Sequence, residues 1–295
     1  MERYWARRRN GRNDGPRPPD WRHFRDGTMR LPSGDGVWRR CAGCPLRAQG
    51  NPLSPLGEAA KDPLFESSIG LARATNYADW TFSLFAPLLS GNVLEVGCGV
   101  GTFTRLLVGV SACRRVMSID VSAEAVAYCR TQVIHTSLEV AVADVLTIQE
   151  RFDVIICMNV LEHIEDDAGA LRHMLNLLRP GGTLFLLVPA HSVLYSSFDR
   201  EAGHYRRYNK HQMNALVGRV ADARSLALRQ FYFNSIGAIG YFIVYRLLRK
   251  PPRADASAEI GWFDRYIVPL LRRIEKNGSP FGTSLVTIIR RDGVA

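Results

Sequence analysis

Lysine is nearly missing from this chain: of 38 basic residues in 295, four are lysine and the rest arginine, a bias that hints at a GC-rich bacterial genome. No apolar run reaches the roughly 20 residues that span a bilayer, and the first residues lack the apolar core of a secretory signal. Cysteine is scarce at six. Cys98, Cys113, Cys129 and Cys157 fall on expected core elements, which suits reduced thiols and a cytoplasmic chain. Cys41-Ala-Gly-Cys44 has zinc-knuckle spacing, but no second Cys/His pair follows at a suitable distance, so no metal is expected.

The net charge of +10 looks like a nucleic-acid signal until it is located. The first 50 residues hold 12 arginines against 5 acids, about +7, and leave the remainder near +3. Residues 1–57 mix Arg, Gly, Pro and Asp without a sustained period and read as a disordered, solvated tail. An RNA- or membrane-attracted arm is the sharper alternative. Residues 58–295 read as one domain, with 46% apolar residues across the chain to build its core.

Residues 92–107 are the most informative. Val93, Leu94 and Val96 read as a buried parallel strand that breaks into Gly97, Gly99 and Gly101 and resumes with helical spacing at Phe103, Leu106 and Leu107. Such glycines permit a tight turn and let a ligand lie against main-chain N–H groups. Glu95 sits inside the strand, where an acid is costly unless a cation or another partner offsets it. That combination suits a small ligand carrying an ammonium or a sulfonium. A dinucleotide site would want G-x-G-x-x-G, but the third glycine position is Thr102. Downstream, Val116–Asp120 reads as a second strand ending in an acid that can bind ribose hydroxyls. Leu138–Ala143 is a third, ending at Asp144-Val145. Phe152–Cys157 is a fourth, running into Met158-Asn159, and Arg179-Pro-Gly-Gly182 reads as a turn before a fifth, Thr183–Val188. Strands alternating with helical patterns argue for an α/β domain with a parallel sheet.

The E-x-G-x-G-x-G loop, Asp120, the Ala143-Asp144 pair, the Leu161-Glu162-His163 turn and Arg179-Pro-Gly-Gly resemble the class I S-adenosylmethionine (SAM)-dependent methyltransferases over about residues 90–190. The resemblance implies a Rossmann-like, mostly parallel seven-stranded sheet with an antiparallel last strand. It implies SAM as cofactor, with Gly97, Cys98, Gly99, Gly101 and Thr102 along its methionine part and Glu95 near its amino group. Asp120 and Val121 would hold the ribose, Asp144 and Val145 the adenine, and Met158 and Asn159 would border the sulfonium. An N-terminal helical cover would contribute Tyr77, with Trp80 equally at home as a packing residue.

After strand five, residues 189–208 form a loop rich in titratable and aromatic groups, and a loop that long in a compact domain is usually functional. Its Phe198-Asp199…Gly203-His-Tyr-Arg-Arg-Tyr208 run resembles a bacterial small-molecule subgroup of these enzymes. Asn209–Val220 reads as a helix, Ala227–Phe233 as strand six and Thr283–Arg290 as strand seven. The intervening helical insertion (232–282) reads as a lid or core helix, a dimer face or a membrane-contacting surface.

An oxygen acceptor needs a base, and His191, His204 and His163 are the candidates. His163 has the alternative role of capping the next helix. Tyr195, Tyr205, Arg206, Arg207 and Tyr208 are candidate substrate contacts. The chain lacks the Asn/Asp-Pro-Pro-Tyr/Phe of nucleic-acid amino-methyltransferases and the Pro-Cys of base C5-methyltransferases after strand four. The expectation is therefore methyl transfer to a small molecule, on oxygen, by a monomer or homodimer, with nucleic acid disfavoured. A lipid- or isoprenoid-linked acceptor at a membrane surface is the runner-up, followed by a non-catalytic SAM-binding or RNA-associated protein.

Overall fold

A computed structural model of the chain describes residues 72–221, 226–243, 261–275 and 278–293. The proposed tail, Cys41, Cys44 and residues 244–260 of the insertion lie outside the described residues. The described chain runs α1 (Thr75–Phe85), β1 (Gly91–Val96), α2 (Thr102–Val108), β2 (Cys113–Asp120), α3 (Ala123–Gln132), β3 (Leu138–Val142), β4 (Phe152–Met158), α4 (Asp167–Leu177), β5 (Leu178–Pro189), α5 (Ser197–Glu201), α6 (Lys210–Val220), β6 (Leu226–Phe233), α7 (Ser235–Tyr241), α8 (Val268–Ile274) and β7 (Ser284–Arg291).

The seven strands form one sheet in the order β3-β2-β1-β4-β5-β7-β6. Only β7 runs against its neighbours, pairing antiparallel with both β5 and β6. The central strands are apolar at consecutive positions because both faces are covered. Leu94, Ile155, Leu184 and Leu186 pack to one side with Leu171 and Met174 of α4. Their alternates Val93, Val154, Ile156, Phe185 and Leu187 pack to the other with Trp80, Phe85 and Leu107. Trp80 is thus a core residue, its ring 4.2 Å from that of Phe233.

Arg179-Pro-Gly-Gly182 is not a turn between elements. It lies inside β5, where the register with β4 breaks between Phe152 and Val154. Gly181 has φ +77°, and a Cβ on Gly182 would stand 2.8 Å from the Arg179 carbonyl oxygen. The strand therefore starts early and bulges, pinned by Arg179 Nη1 to Asp153 Oδ2 at 2.9 Å. The described part of the insertion is helical over 235–243 and 261–274, but its first two expected residues, Tyr232 and Phe233, belong to β6, and 278–282 is non-helical, with Ser279 bridging to Tyr232. A wide π turn, Phe263–Ile267, leads into α8, next to Pro269, which has no N–H to continue a regular ladder.

Asp264 ties this turn to the N-terminus of α1, accepting from the Asn76 and Tyr77 backbone N–H groups at 3.1 and 2.7 Å. Glu275 does the same for α7, accepting from the Asn234 and Ser235 N–H groups at 2.9 and 2.8 Å. Both carboxylates are buried where they take these donors.

Candidate functional site

The ends of β1 to β4 open on one edge of the sheet, where a parallel α/β fold places its ligand crevice. Gly97, Gly99 and Gly101 have φ of +80°, +50° and +84°, the left-handed region that glycine enters freely. The Gly97 and Cys98 N–H groups donate to the Ile119 carbonyl at 2.8 and 2.9 Å, hanging the loop on β2. Asp120 Oδ2 accepts from Gly99 N at 2.8 Å and Oδ1 from Ser122 N at 2.9 Å, so the ribose candidate also fixes the loop.

Beneath the loop, Glu95 is fully buried, and the Ser118 and Thr104 hydroxyls both donate to its Oε2 at 2.6 Å. Burial raises its pKa to about 7, against the pull of those two donors. Ser118 and Thr104 escaped the sequence reading. The legible signal was a lone serine in the apolar run of β2.

Asp144 caps the short turn Val145–Thr147, taking Leu146 N at 2.8 Å, and is otherwise exposed. Val145 packs into the core and Val121 is exposed at the crevice edge. Met158 ends β4, and Asn159 turns away at φ +51°, its N–H on the Leu187 carbonyl. Thr102 opens α2, and Cys98 packs against Val126 and Cys129. Tyr77 packs beside Trp80 and Phe233, with Asn234, Ser284 and Thr81 around its hydroxyl; burial raises its pKa to about 12.

The loop after β5 folds around Asp199, which is fully buried. The carboxylate takes hydrogen bonds from Ser196 N (2.9 Å), His204 Nδ1 (2.9 Å), Arg207 Nε (2.7 Å) and the Tyr241 hydroxyl (2.9 Å). Burial alone would raise its pKa, but the His204 and Arg207 bonds and the Arg207 charge hold it far below the carboxylate range.

Arg207, expected as a substrate contact, is buried and stacked 4.4 Å from the Tyr241 ring. Tyr208 is likewise buried, its hydroxyl on Asp167 Oδ2 at 3.1 Å, and Tyr195 donates its hydroxyl proton to the His204 carbonyl at 2.7 Å. Arg206 pairs with Asp167 at 2.9 Å, and Tyr205 alone of the five has an exposed ring.

The three histidines divide. His163 and His204 lie edge to face with ring centroids 4.6 Å apart. Burial, then the neighbouring His204, lowers the His163 pKa to about 4. His163 does not cap α4; Asp166 does, accepting from Gly169 N at 2.9 Å. His191 sits two residues past the end of β5 at φ +61°, its ring 4.4 Å from that of Tyr232 and its buried Nε2 without a hydrogen-bond partner among the described residues. Burial, then the Arg207 charge, lowers its pKa. With Leu194, Ala238, Ile239, Phe242 and Phe281 it lines an apolar cavity of about 240 Å³.

A family model for a methyltransferase domain matches residues 71–228, more than half of the chain. The chain is a class I SAM-dependent methyltransferase. The positive-φ glycine loop, the Asp120 strand end and the buried acid beneath them fit that cofactor. Ubiquinone biosynthesis O-methyltransferases are similar to this methyltransferase: that of Xanthomonas campestris pv. campestris is 36% identical over 105 residues, 34% of this chain and 43% of the relative. The Aeromonas salmonicida protein is 30% identical over 115 residues, 37% of this chain and 47% of the relative. The methyltransferase thus spans less than half the length of the curated relatives it matches.

In fold it resembles a chain of the Haloferax volcanii complex between the Trm112 methyltransferase activator and a putative methyltransferase. The TM-score is 0.54 and the identity 15%, covering 79% of this chain and all of that one.

Proposed function

We propose that this methyltransferase methylates an oxygen of a small molecule with an apolar body, with His191 taking the proton. The observation that carries the reading is His191 itself: a neutral imidazole with an unpartnered Nε2, at the carboxyl end of β5, in the wall of an apolar cavity. Bound SAM supplies a methyl group on a sulfonium that leaves as a neutral thioether. The chain's own contribution is alignment, exclusion of water and removal of the acceptor's proton, of which positioning supplies up to ~7–11 kcal/mol in ideal cases.

The glycine loop and Asp120 hold the cofactor's methionine and ribose parts, and Asp144 meets the adenine. Leu194, Ile239, Phe242 and Phe281 seat the acceptor, whose hydroxyl faces His191 Nε2. The names of the partial relatives, all O-methyltransferases among those compared, support oxygen over nitrogen.

A lipid- or isoprenoid-linked acceptor is the second reading, favoured by the exposed Ile236, Ile239, Phe242 and Ile243 along α7 and just beyond it. Purified protein incubated with labelled SAM and paired phenols, with and without an apolar tail, separates the two. Turnover of the short phenols supports the first reading, and a strict requirement for the tail supports the second. His191→Ala should lower kcat by ~100–10,000-fold with SAM affinity unchanged. An unchanged kcat would remove His191 from the reaction.

A further inference from the structure

We infer that the π turn and α8 form a strut that couples the cofactor loop to the wall of the apolar cavity, with Asp264 and Glu275 as its two positioning residues. Between residues 261 and 275 these are the only acids, and both are buried, while Arg265, Arg272 and Arg273 face solvent. A buried carboxylate is costly unless donors claim it. Each of these two is claimed by the first N–H groups of a helix to which it does not belong, groups that have no partner within their own helix.

At the cofactor end, α1 follows Ala74, which offers no side-chain cap. Asp264, 188 residues on from Asn76, takes that place. Its Oδ1 accepts from Tyr77 N at 2.7 Å, and its Oδ2 from Asn76 N at 3.1 Å and Asn76 Nδ2 at 3.2 Å. A carboxylate also suits the positive end of the helix. Helix α1 in turn rests on the glycine loop and on α2 behind it. Ala72, just ahead of α1, packs against Val100 and Ala125, and the Phe85 ring at the other end lies 6.1 Å from that of Phe103.

The cavity end is held in the same way. Helix α7 supplies Ala238 and Ile239 to the wall that His191 shares, and Phe242 follows it. The Asn234 and Ser235 N–H groups donate to Glu275 Oε2 and Oε1 at 2.9 and 2.8 Å, and the Ser235 hydroxyl donates to the same carboxylate. Between the two acids, α8 buries Val268 and Leu271 in the core cluster that holds Trp80 and Phe85 of α1. A close-packed interior transmits a displacement rather than absorbing it. Cofactor that fixes the glycine loop thereby fixes α1, the strut and the wall on α7, so the acceptor's seat is set once SAM is in place. Only the use of the cavity as that seat rests on the oxygen-acceptor reading; the coupling of α1 to α7 does not.

Hydrogen exchange of the full chain, with and without saturating S-adenosylhomocysteine (the demethylated cofactor), reads the coupling without any acceptor. Residues 235–243 should exchange about tenfold more slowly with the ligand, within the ~5–150-fold typical of coupled sites. Asp264→Asn, whose amide cannot accept at both positions, should cut that ratio to about twofold or less while residues 97–102 stay protected. Glu275→Gln should do the same and leave the protection of α1 in place. Asp166→Ala, which removes the cap of α4, should keep the full effect and so controls for a merely structural loss. A wild-type protein in which the ligand protects the glycine loop but not residues 235–243 would overturn the coupling. So would full protection of 235–243 in both Asp264→Asn and Glu275→Gln. Loss in Tyr77→Phe alone would assign the coupling to the contact between Tyr77 and Asn234 and overturn the strut. Coupling that is present while phenols go unmethylated would uphold the strut and remove the oxygen-acceptor reading.

Discussion

Each titratable side chain at this site has its state set by what surrounds it. His191 lies in an apolar wall near Arg207, and both burial and that charge disfavour its protonated form. With His191 as base, kcat/KM should rise with pH through a midpoint below the ordinary histidine value of ~6.5 and then stay level towards pH 8. A midpoint above 7 in initial-rate measurements would point to another group. Glu95 moves the other way. Its folded pKa is about 7 against ~4.3 unfolded, so its contribution to stability is full below pH ~4 and lost as pH rises through 7. The loss is on the order of 3 kcal/mol, because a tenfold change in proton affinity is worth about 1.4 kcal/mol. In the absence of SAM, melting curves should show a smaller stability loss between pH 5 and 8 for Glu95→Gln than for wild type. Equal losses would mean that Glu95 is already paired in the free protein.

Two loops determine what the secondary structure can do. In the glycine loop, a Cβ on Gly97 would stand 2.3 Å from Val160 Cγ2 in a backbone conformation that L residues avoid. Gly97→Ala should lower SAM affinity by at least about tenfold, from a strain cost of ~1–3 kcal/mol, and Val160→Ala should restore part of it. Calorimetry on the two variants decides this. Full rescue would mean that the backbone angle costs nothing.

In the loop after β5, Asp199 neutralises the buried Arg207 and orients His204. Asp199→Asn leaves an unpaired buried cation and should cost ~3–5 kcal/mol. The melting temperature should drop by about 10 °C for a domain of this size. The double variant Asp199→Asn/Arg207→Met should recover much of that drop. A double variant no more stable than the single one would assign the loss to His204 and Ser196 instead.

For the whole molecule, the sheet is the frame, and the family match begins at residue 71, after the arginine-rich stretch. A chain starting at residue 58 should therefore keep SAM affinity within about twofold, since separate sites contribute independently. A larger loss would tie the tail to the cofactor site. The sequence alone determined the order of strands and helices and the class of cofactor, because hydrophobic period, glycine turns and strand-end acids are local properties. The bulge inside β5 was hidden, since Arg179-Pro-Gly-Gly reads locally as a turn and only pairing with β4 extends the strand through it. The roles within residues 189–208 were equally hidden. Arg207 and Tyr208 resemble ligand contacts until burial and their bonds to Asp199 and Asp167 are seen. Those outcomes belong to the tertiary structure, because a charge or an acceptor is assigned by the partners that folding brings within about 3 Å: Asp199 gathers His204 and Arg207 as its own loop folds back, and Asp167 meets Tyr208 from 41 residues away.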